Sequence, residues 1–164
     1  MSLHSSYSMG QSTEFRGGVE LSPGPSGQVS HTSALATILC VDDDSMVRGY
    51  VEDILTEEGY QVLLASTAEE ALATAQDFRG PIHLLLTDIV MPGLNGLQLA
   101  EQLSPVRQDT KVLFMSGYTD DAIIREGIQL TRVEFLAKPF SPSLLLQRVT
   151  RVLAQSSPRP LPPT

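Results

Sequence analysis

Short apolar runs alternate with stretches of helical spacing between residues 36 and 154, and this alternation restricts the possible folds more than any other feature. Five runs have the composition of buried strands: "TILCVD", "YQVLLA", "LLLTD", "KVLFMS" and "VEFLA". Strands that are separated by helices pair in parallel, and the helices cover both faces of the sheet. The pattern therefore predicts an α/β fold, a three-layer (βα)5 sandwich around a parallel five-stranded sheet.

A helix is expected after each strand, and several helix boundaries carry recognisable signals. Gly59 is placed to end the first helix, and Thr67 with Glu70 fits a capping box at the start of the second. Ser141 as N-cap and Pro142 at the first helical position begin the last helix. The stretch "TDDAIIREGI", residues 119–128, predicts a short fourth helix that contains a glycine.

The two ends of the chain have a different composition. Residues 1–34 are rich in Ser, Gly and Pro and show no apolar periodicity, so we expect a flexible leader or interdomain linker. Residues 155–164 form a Pro-rich tail that cannot continue a helix. One domain of ordinary size, residues 35–154, lies between them.

Charge and apolar content exclude several kinds of function. The 164 residues carry a formal net charge of −8, whereas a nucleic-acid interface needs clustered Lys and Arg. No apolar run approaches the ~18 residues of a membrane span, and the N-terminus lacks the pattern of a secretory signal. Cys40 stands alone within the first strand, where we expect it to pack in the core. We therefore expect a cytoplasmic protein without nucleic-acid binding or membrane insertion.

Polar residues with chemical uses follow four of the five predicted strands. In an open parallel sheet, ligands bind beyond the carboxyl ends of the strands, where the strand order reverses. If the order is 2-1-3-4-5, the first and third strands are neighbours, and their acids converge. Clustered carboxylates persist when a hard cation neutralises them, and oxygen ligands suit Mg²⁺. The residues are Asp42, Asp43 and Asp44 after the first strand, Asp88 after the third, Ser116 after the fourth and Lys138 after the fifth.

Each of these residues also has a simpler interpretation. Asp44 or Ser45 could cap the first helix. Asp88 could belong to the turn chemistry before Met-Pro-Gly, and Lys138 could be a solvated charge. Four strand ends that each supply a suitable residue favour one shared site over separate coincidences.

Four blocks of sequence carry a resemblance to a known family: "ILCVDDD", "LLLTDIVMPGLNG", "VLFMSGYTDD" and "FLAKPF". With these blocks in this order and spacing, the chain resembles a response-regulator receiver domain of two-component signalling. The resemblance implies a flavodoxin-like fold with the strand order 2-1-3-4-5. Within the family the chain is most similar to the receiver at the C-terminus of hybrid histidine kinases, and a stand-alone single-domain response regulator is the alternative.

The resemblance implies roles for the acidic residues. Asp88 would be the phosphoacceptor, which takes a phosphoryl group from phosphohistidine. Mg²⁺, for which Mn²⁺ can substitute, would be bound by Asp43, Asp88 and the backbone carbonyl of Val90. Asp42 would act on the metal through water. Such a domain catalyses its own modification and is not a turnover enzyme, although a parent chain could be a histidine kinase.

The resemblance also implies a switch and partners. Ser116 would supply the switch hydroxyl, and Phe135 the switch aromatic ring. Lys138 would contact the phosphoryl group and precede a cis Pro139. The expected partner is a histidine kinase or a histidine phosphotransfer domain. A weak homodimer through the fourth helix, the fifth strand and the last helix is a further expectation.

Other functions that use a similar fold need different residues. A haloacid-dehalogenase-like phosphatase, the remote alternative, needs a second acid two residues after its nucleophile, where this chain has Val90. A flavodoxin-like electron carrier needs a Ser/Thr-rich phosphate loop and flanking aromatic residues, which these loops lack. A phosphodonor role is not favoured for the three histidines, because two lie in the leader and one opens a strand: His4, His31 and His83.

Overall fold

The computed structural model describes residues 34–117 and 133–156. Five parallel strands form its sheet: β1 (Thr37–Val41), β2 (Gln61–Ala65), β3 (Leu84–Asp88), β4 (Lys111–Ser116) and β5 (Glu134–Ala137). Their order is β2-β1-β3-β4-β5, which confirms the predicted topology. The neighbouring strands β1 and β3 are buried along their whole length, as expected where helices cover both faces of a sheet.

Four helices lie within the described residues: α1 (Ser45–Glu57), α2 (Ala68–Asp77), α3 (Gly96–Leu103) and α4 (Pro142–Leu153). The helix predicted at residues 119–128 lies outside the described residues, as do positions 1–33 of the predicted leader and 157–164 of the predicted tail. Among the helices that are described, none has the length and apolar character needed to cross a bilayer.

The described helices begin at residues whose side chains accept hydrogen bonds from free backbone N–H groups. Asp44 caps α1 and accepts from the backbone N of Met46 at 2.8 Å. One of the three consecutive acids therefore has the simpler, structural role. Ser141 caps α4 and is followed by Pro142 in the first turn, as predicted. Gly59, with a φ of 95°, follows the end of α1 in the left-handed conformation that glycine favours.

The capping box expected at α2 forms only in part. Thr67 caps the helix and accepts from the backbone N of Glu70 at 3.1 Å. The Glu70 carboxylate accepts instead from the backbone N and the hydroxyl of Ser66, at 2.6 and 2.7 Å, because Ser66 presents two donors side by side. A complete capping box starts α3 and joins Asn95 to Gln98.

The sheet separates two apolar cores. Successive side chains of a strand point to opposite faces. On one face Leu39 and Leu85 pack among the apolar residues of α2 and α3, and on the other Ile38 and Leu86 pack among those of α1 and α4. Burial of this kind is the main favourable contribution to folding. The strands are therefore fixed on both faces, and their carboxyl ends form a rigid edge.

Polar side chains close the opposite, amino-terminal edge of the sheet. Arg107 donates to backbone carbonyls at and beyond the end of α2, those of Ala75, Phe78 and Gly80. His83 accepts through Nδ1 from the backbone N of the first residue of β1 at 2.9 Å. His83 thus has a structural partner far from the acidic edge, which argues against a phosphodonor role.

Candidate active site

Three carboxylates meet at the carboxyl edge of the sheet. Val41 of β1 pairs in register with Thr87 of β3, so Asp42 and Asp88, which follow them, reach the same level. Carboxylate oxygens of Asp42, Asp43 and Asp88 all lie within 4.8 Å of one another. The pairing of two neighbouring strands therefore brings together acids that are distant in sequence.

Asp88 is the last residue of β3, and its side chain is 12% exposed. One carboxylate oxygen accepts from Lys138 Nζ at 3.1 Å, and the other faces the backbone N of Val90 at 3.4 Å. Burial raises the pKa of Asp88, the Lys138 charge and the Val90 N–H oppose that rise, and the Asp42 charge adds to it. A carboxylate with so few hydrogen bonds retains lone pairs for an electrophile or a metal.

Asp42 has all its polar groups occupied within the fold. Its backbone N donates to the carbonyl of Ala65 at 3.3 Å, and its own carbonyl accepts from Arg48 Nη1 at 2.6 Å. Oδ1 accepts from the backbone N of Asp44 at 2.9 Å, and Oδ2 accepts from Lys138 Nζ at 2.5 Å. The side chain is 1% exposed. A cation that bound Asp42 directly would have to compete with the lysine amine.

Asp43 has the opposite character. Its side chain is exposed, and no hydrogen bond or ion pair with another described residue engages its carboxylate. The site thus contains Asp42, whose carboxylate is fixed by hydrogen bonds, Asp88 at the end of β3, and Asp43, whose carboxylate has no partner among the described residues. Hard oxygen ligands with open positions for water are the set that Mg²⁺ or Mn²⁺ prefers, so the residues fit the metal that the resemblance implies.

Lys138 supplies the positive charge of the site. It follows β5, and its backbone N donates to the carbonyl of Ser116 at 2.7 Å, which ties it to the end of β4. Its side chain is 16% exposed and bridges Asp42 and Asp88, so it is not a solvated charge. Burial lowers the pKa of Lys138, but the hydrogen bond to Asp42 and the charges of both acids outweigh this and raise it. The peptide bond to Pro139 is cis.

The residues expected to form the switch lie on neighbouring strands. Ser116 ends β4 and is half-buried. Phe135 is also half-buried, pairs in register with Phe114, and its ring centroid lies 5.8 Å from that of Phe114. Because alternate residues of a strand share a face, Ser116, Phe114 and Phe135 all face the core that contains α2 and α3.

The structure adds residues that pattern reasoning from the sequence had missed. The hydroxyl of the buried Thr87 donates to the backbone carbonyl of Asp88 at 2.9 Å. Gly96 begins α3 so close to the same peptide that a Cβ there would lie 2.0 Å from the Asp88 carbonyl oxygen. Arg48 holds the carbonyl of Asp42. A glycine as the first residue of a helix is a sequence signal of close approach, whereas Thr87 and Arg48 give none without the fold.

A groove of about 500 Å³ opens beside the site. Lys138 forms part of its wall, so the groove and the acidic edge are continuous. Tyr50 and Phe140 both line it, with ring centroids 6.0 Å apart. Most of its other lining is apolar or lacks a charged side chain: Met46, Val47, Gly117 and Pro139.

Replacement of Asp43 with alanine tests the assignment of the cation site. We expect Asp43→Ala to weaken Mg²⁺ binding about tenfold or more, because the unshared carboxylate is lost. Without metal its melting temperature should rise slightly, since repulsion among the carboxylates falls. Isothermal titration calorimetry measures the affinity, with Asp53→Ala, an exposed acid of α1, as control. Unchanged Mg²⁺ binding by Asp43→Ala would show that the cation binds elsewhere.

Comparison with known proteins agrees with this geometry. The family model of the response regulator receiver domain matches residues 38–150 of the chain. Response regulator RR06 of Streptococcus pneumoniae is 33% identical over 116 residues, which are 71% of this chain and 52% of RR06. Sensor kinase CckA of Brucella abortus is 35% identical over 121 residues, which are 74% of this chain and 13% of the kinase. The chain thus spans about half of the first relative and a small part of the second.

Solved structures give the same result. The crystal structure of the receiver domain from hybrid histidine kinase CckA has a TM-score of 0.61 at 35% identity, and the match covers 72% of this chain and 99% of that one. Vibrio cholerae chemotaxis protein CheY4 has a TM-score of 0.63 at 32% identity, with 73% and 99% covered. Because the sequence match extends over residues 38–150 and these receiver structures are covered almost completely, the chain belongs to the response regulator receiver domain family.

Proposed function

We propose that this chain is the phosphoacceptor of a two-component phosphorelay and that Asp88 receives the phosphoryl group from a phosphohistidine. The observation that carries the proposal is the position of the Asp88 carboxylate. It ends a fully buried strand, lies within 4.8 Å of the other two acids and contacts a lysine amine at 3.1 Å. A rigid backbone, adjacent cation ligands and a cationic partner are the features that phosphoryl transfer to a carboxylate requires.

The proposed reaction is a direct transfer. An oxygen of Asp88 attacks the phosphorus atom and forms an O–P bond, while the N–P bond to the donor histidine breaks. The released imidazole nitrogen takes a proton from water. Lys138, already 3.1 Å from Asp88, is placed to bind an oxygen of the transferring group. Most of the rate enhancement then comes from positioning and electrostatic stabilisation.

A Mg²⁺ ion would be held by Asp43, Asp88 and the backbone carbonyl of Val90, with Asp42 acting through water. When bound, it would neutralise negative charge on the transferring phosphoryl group. Asp42 suits the indirect role, because one of its oxygens is already shared with Lys138 at 2.5 Å. Asp43 suits the direct role, because its carboxylate has no partner among the described residues.

We further propose that phosphorylation is communicated through Ser116 and Phe135. A phosphoryl oxygen on Asp88 would accept a hydrogen bond from the Ser116 hydroxyl on the adjacent strand. Movement of Ser116 toward the phosphoryl group would vacate space into which the half-buried Phe135 ring could turn. Stabilisation of one conformer by only ~1–3 kcal/mol would shift such an equilibrium.

The donor that we propose is a histidine kinase or a histidine phosphotransfer domain, docked over the groove beside Lys138. The groove supports this because a partner seated on Met46 and Phe140 would lie next to the acidic edge. Met46 is 82% exposed, so a partner docked there would cover its apolar side chain. A weak homodimer through β5, α4 and the segment between β4 and β5 is a second, separate proposal.

We prefer the receiver of a hybrid histidine kinase as the origin of the chain, and similarity to the CckA receiver supports this. A stand-alone response regulator is the alternative, and similarity to CheY4 favours it. The proposed units are a leader at 1–34, the receiver at 35–154 and a tail at 155–164. The proposed compartment is the cytoplasm, because phosphohistidine donors draw their phosphoryl groups from ATP. Sequencing of the parent gene decides between the two origins.

Phosphorylation of the purified chain tests the central proposal. Incubation with acetyl phosphate and Mg²⁺ should add one phosphoryl group to the intact mass, and chelation with EDTA should suppress the gain. Hydroxylamine should remove the group, since it cleaves acyl phosphates. A mass gain that is independent of Mg²⁺, or a label that survives hydroxylamine, would contradict an aspartyl phosphate.

A further inference from the structure

The side chain of Arg48, in the first turn of α1, contacts a backbone group of the acidic edge. The half-buried side chain donates from Nη1 to the carbonyl oxygen of Asp42 at 2.6 Å. That carbonyl belongs to the planar peptide group that joins Asp42 to Asp43. A strong hydrogen bond to it restrains the plane of the peptide and so the position of the Asp43 Cα, from which the Asp43 side chain leaves the backbone.

The position of Asp43 depends on such restraints, because its carboxylate has no partner among the described residues. On the preceding side, the backbone N of Asp42 is bound to Ala65 at 3.3 Å. On the following side, the backbone N of Asp44 donates to Asp42 Oδ1 at 2.9 Å. The contact from Arg48 completes the set, since it restrains the carbonyl that lies directly before Asp43.

We propose that Arg48 is a positioning residue that directs the Asp43 carboxylate toward the cation before the cation binds. The inference rests on the proposed function for the identity of the cation as Mg²⁺. A guanidinium close to a divalent cation is electrostatically unfavourable. The benefit of Arg48 at this place is therefore geometric: it lowers the cost of ordering a metal ligand at the moment of binding.

Mg²⁺ affinity measured by isothermal titration calorimetry separates the geometric effect of Arg48 from its charge. Positioning predicts that Arg48→Met binds Mg²⁺ about tenfold more weakly, the scale of losses when a group that orients a ligand is removed. An arginine that acts only as a nearby charge predicts tighter binding, because a repelling cation is gone. Arg48→Lys keeps the charge and one donor group, so it should recover part of the affinity. Arg79→Met, which removes an exposed charge elsewhere, should bind Mg²⁺ like the wild type.

A double substitution tests whether Arg48 acts through Asp43. In Asp43→Ala no carboxylate remains to be positioned, so adding Arg48→Met should cause no further loss of Mg²⁺ affinity. A further loss of similar size would overturn the inference, as would equal or tighter Mg²⁺ binding by Arg48→Met alone. Thermal melting without Mg²⁺ identifies variants that fail to fold, and Arg48→Lys then takes the place of Arg48→Met. A wild-type chain that does not bind Mg²⁺ would contradict the proposed function itself, which is a different result.

Discussion

Replacement of Asp88 with asparagine is expected to abolish phosphorylation while the fold is retained. The amide has nearly the same shape as the carboxylate but lacks the anionic oxygen that would attack phosphorus. Intact-mass measurement after incubation with acetyl phosphate and Mg²⁺ should show no phosphorylated species above background. Asp53→Asn, at an exposed position of α1, should be labelled like the wild type. A label that persists in Asp88→Asn would show that another residue is the acceptor.

The same variant should be more stable than the wild type without metal, and by an amount that depends on pH. Burial raises the pKa of Asp88 in the folded protein. A raised folded pKa stabilises the protein below the unfolded pKa, and this contribution is lost as pH rises through the folded pKa. Asparagine does not ionise. The melting temperature of Asp88→Asn minus that of the wild type should therefore increase from acidic to neutral pH. A constant difference across that range would contradict the pKa shift.

Replacement of Gly96 with alanine should cost at least about 3 kcal/mol of unfolding free energy, a large effect for one methyl group. The added Cβ would lie 2.0 Å from the Asp88 carbonyl oxygen and 3.1 Å from the Cα of Ile89. Since both neighbours are backbone atoms, α3 or the end of β3 would have to move. Phosphorylation at Asp88 should fall with stability, because the displaced peptide carries the acceptor.

Gly49→Ala is the matched control for this prediction. Gly49 lies inside α1, and a Cβ there would meet nothing within 4 Å. Alanine has the higher helix propensity, so stability should rise by about 0.5–1 kcal/mol. Urea unfolding of both variants gives the two free-energy differences. A Gly96→Ala chain as stable as the wild type would show that α3 does not constrain the Asp88 peptide.

The fold could be predicted because its signals are local and periodic. Runs such as Leu84–Leu86 mark buried strands, and breakers such as Gly59 and Pro142 mark the ends and starts of helices. The meeting of the acids at one edge then followed from topology, because parallel strands end on the same side. The strand order, which makes β1 and β3 neighbours, was implied by the family resemblance and not by these local signals.

Individual contacts between side chains and nearby backbone groups could not be predicted. The hydrogen bond from Arg48 to the Asp42 carbonyl depends on the direction in which α1 leaves the sheet. The hydrogen bonds that the Glu70 carboxylate accepts from the two donors of Ser66 depend on the path of the backbone before α2. The residue types alone do not determine either of these two contacts.

The two faces of the sheet have a consequence for how partner proteins could bind the domain. The groove beside Lys138 lies on the face of α1 and α4, whereas Phe114 and Phe135 belong to the core on the other face. If phosphodonors dock at the groove and downstream partners, here called readers, recognise the face that contains Phe135, phosphorylation and recognition use separate surfaces. A reader would not need to wait for the donor to leave, and a saturating donor would not block it. Competition between partners for a single surface would then not limit the passage of the signal.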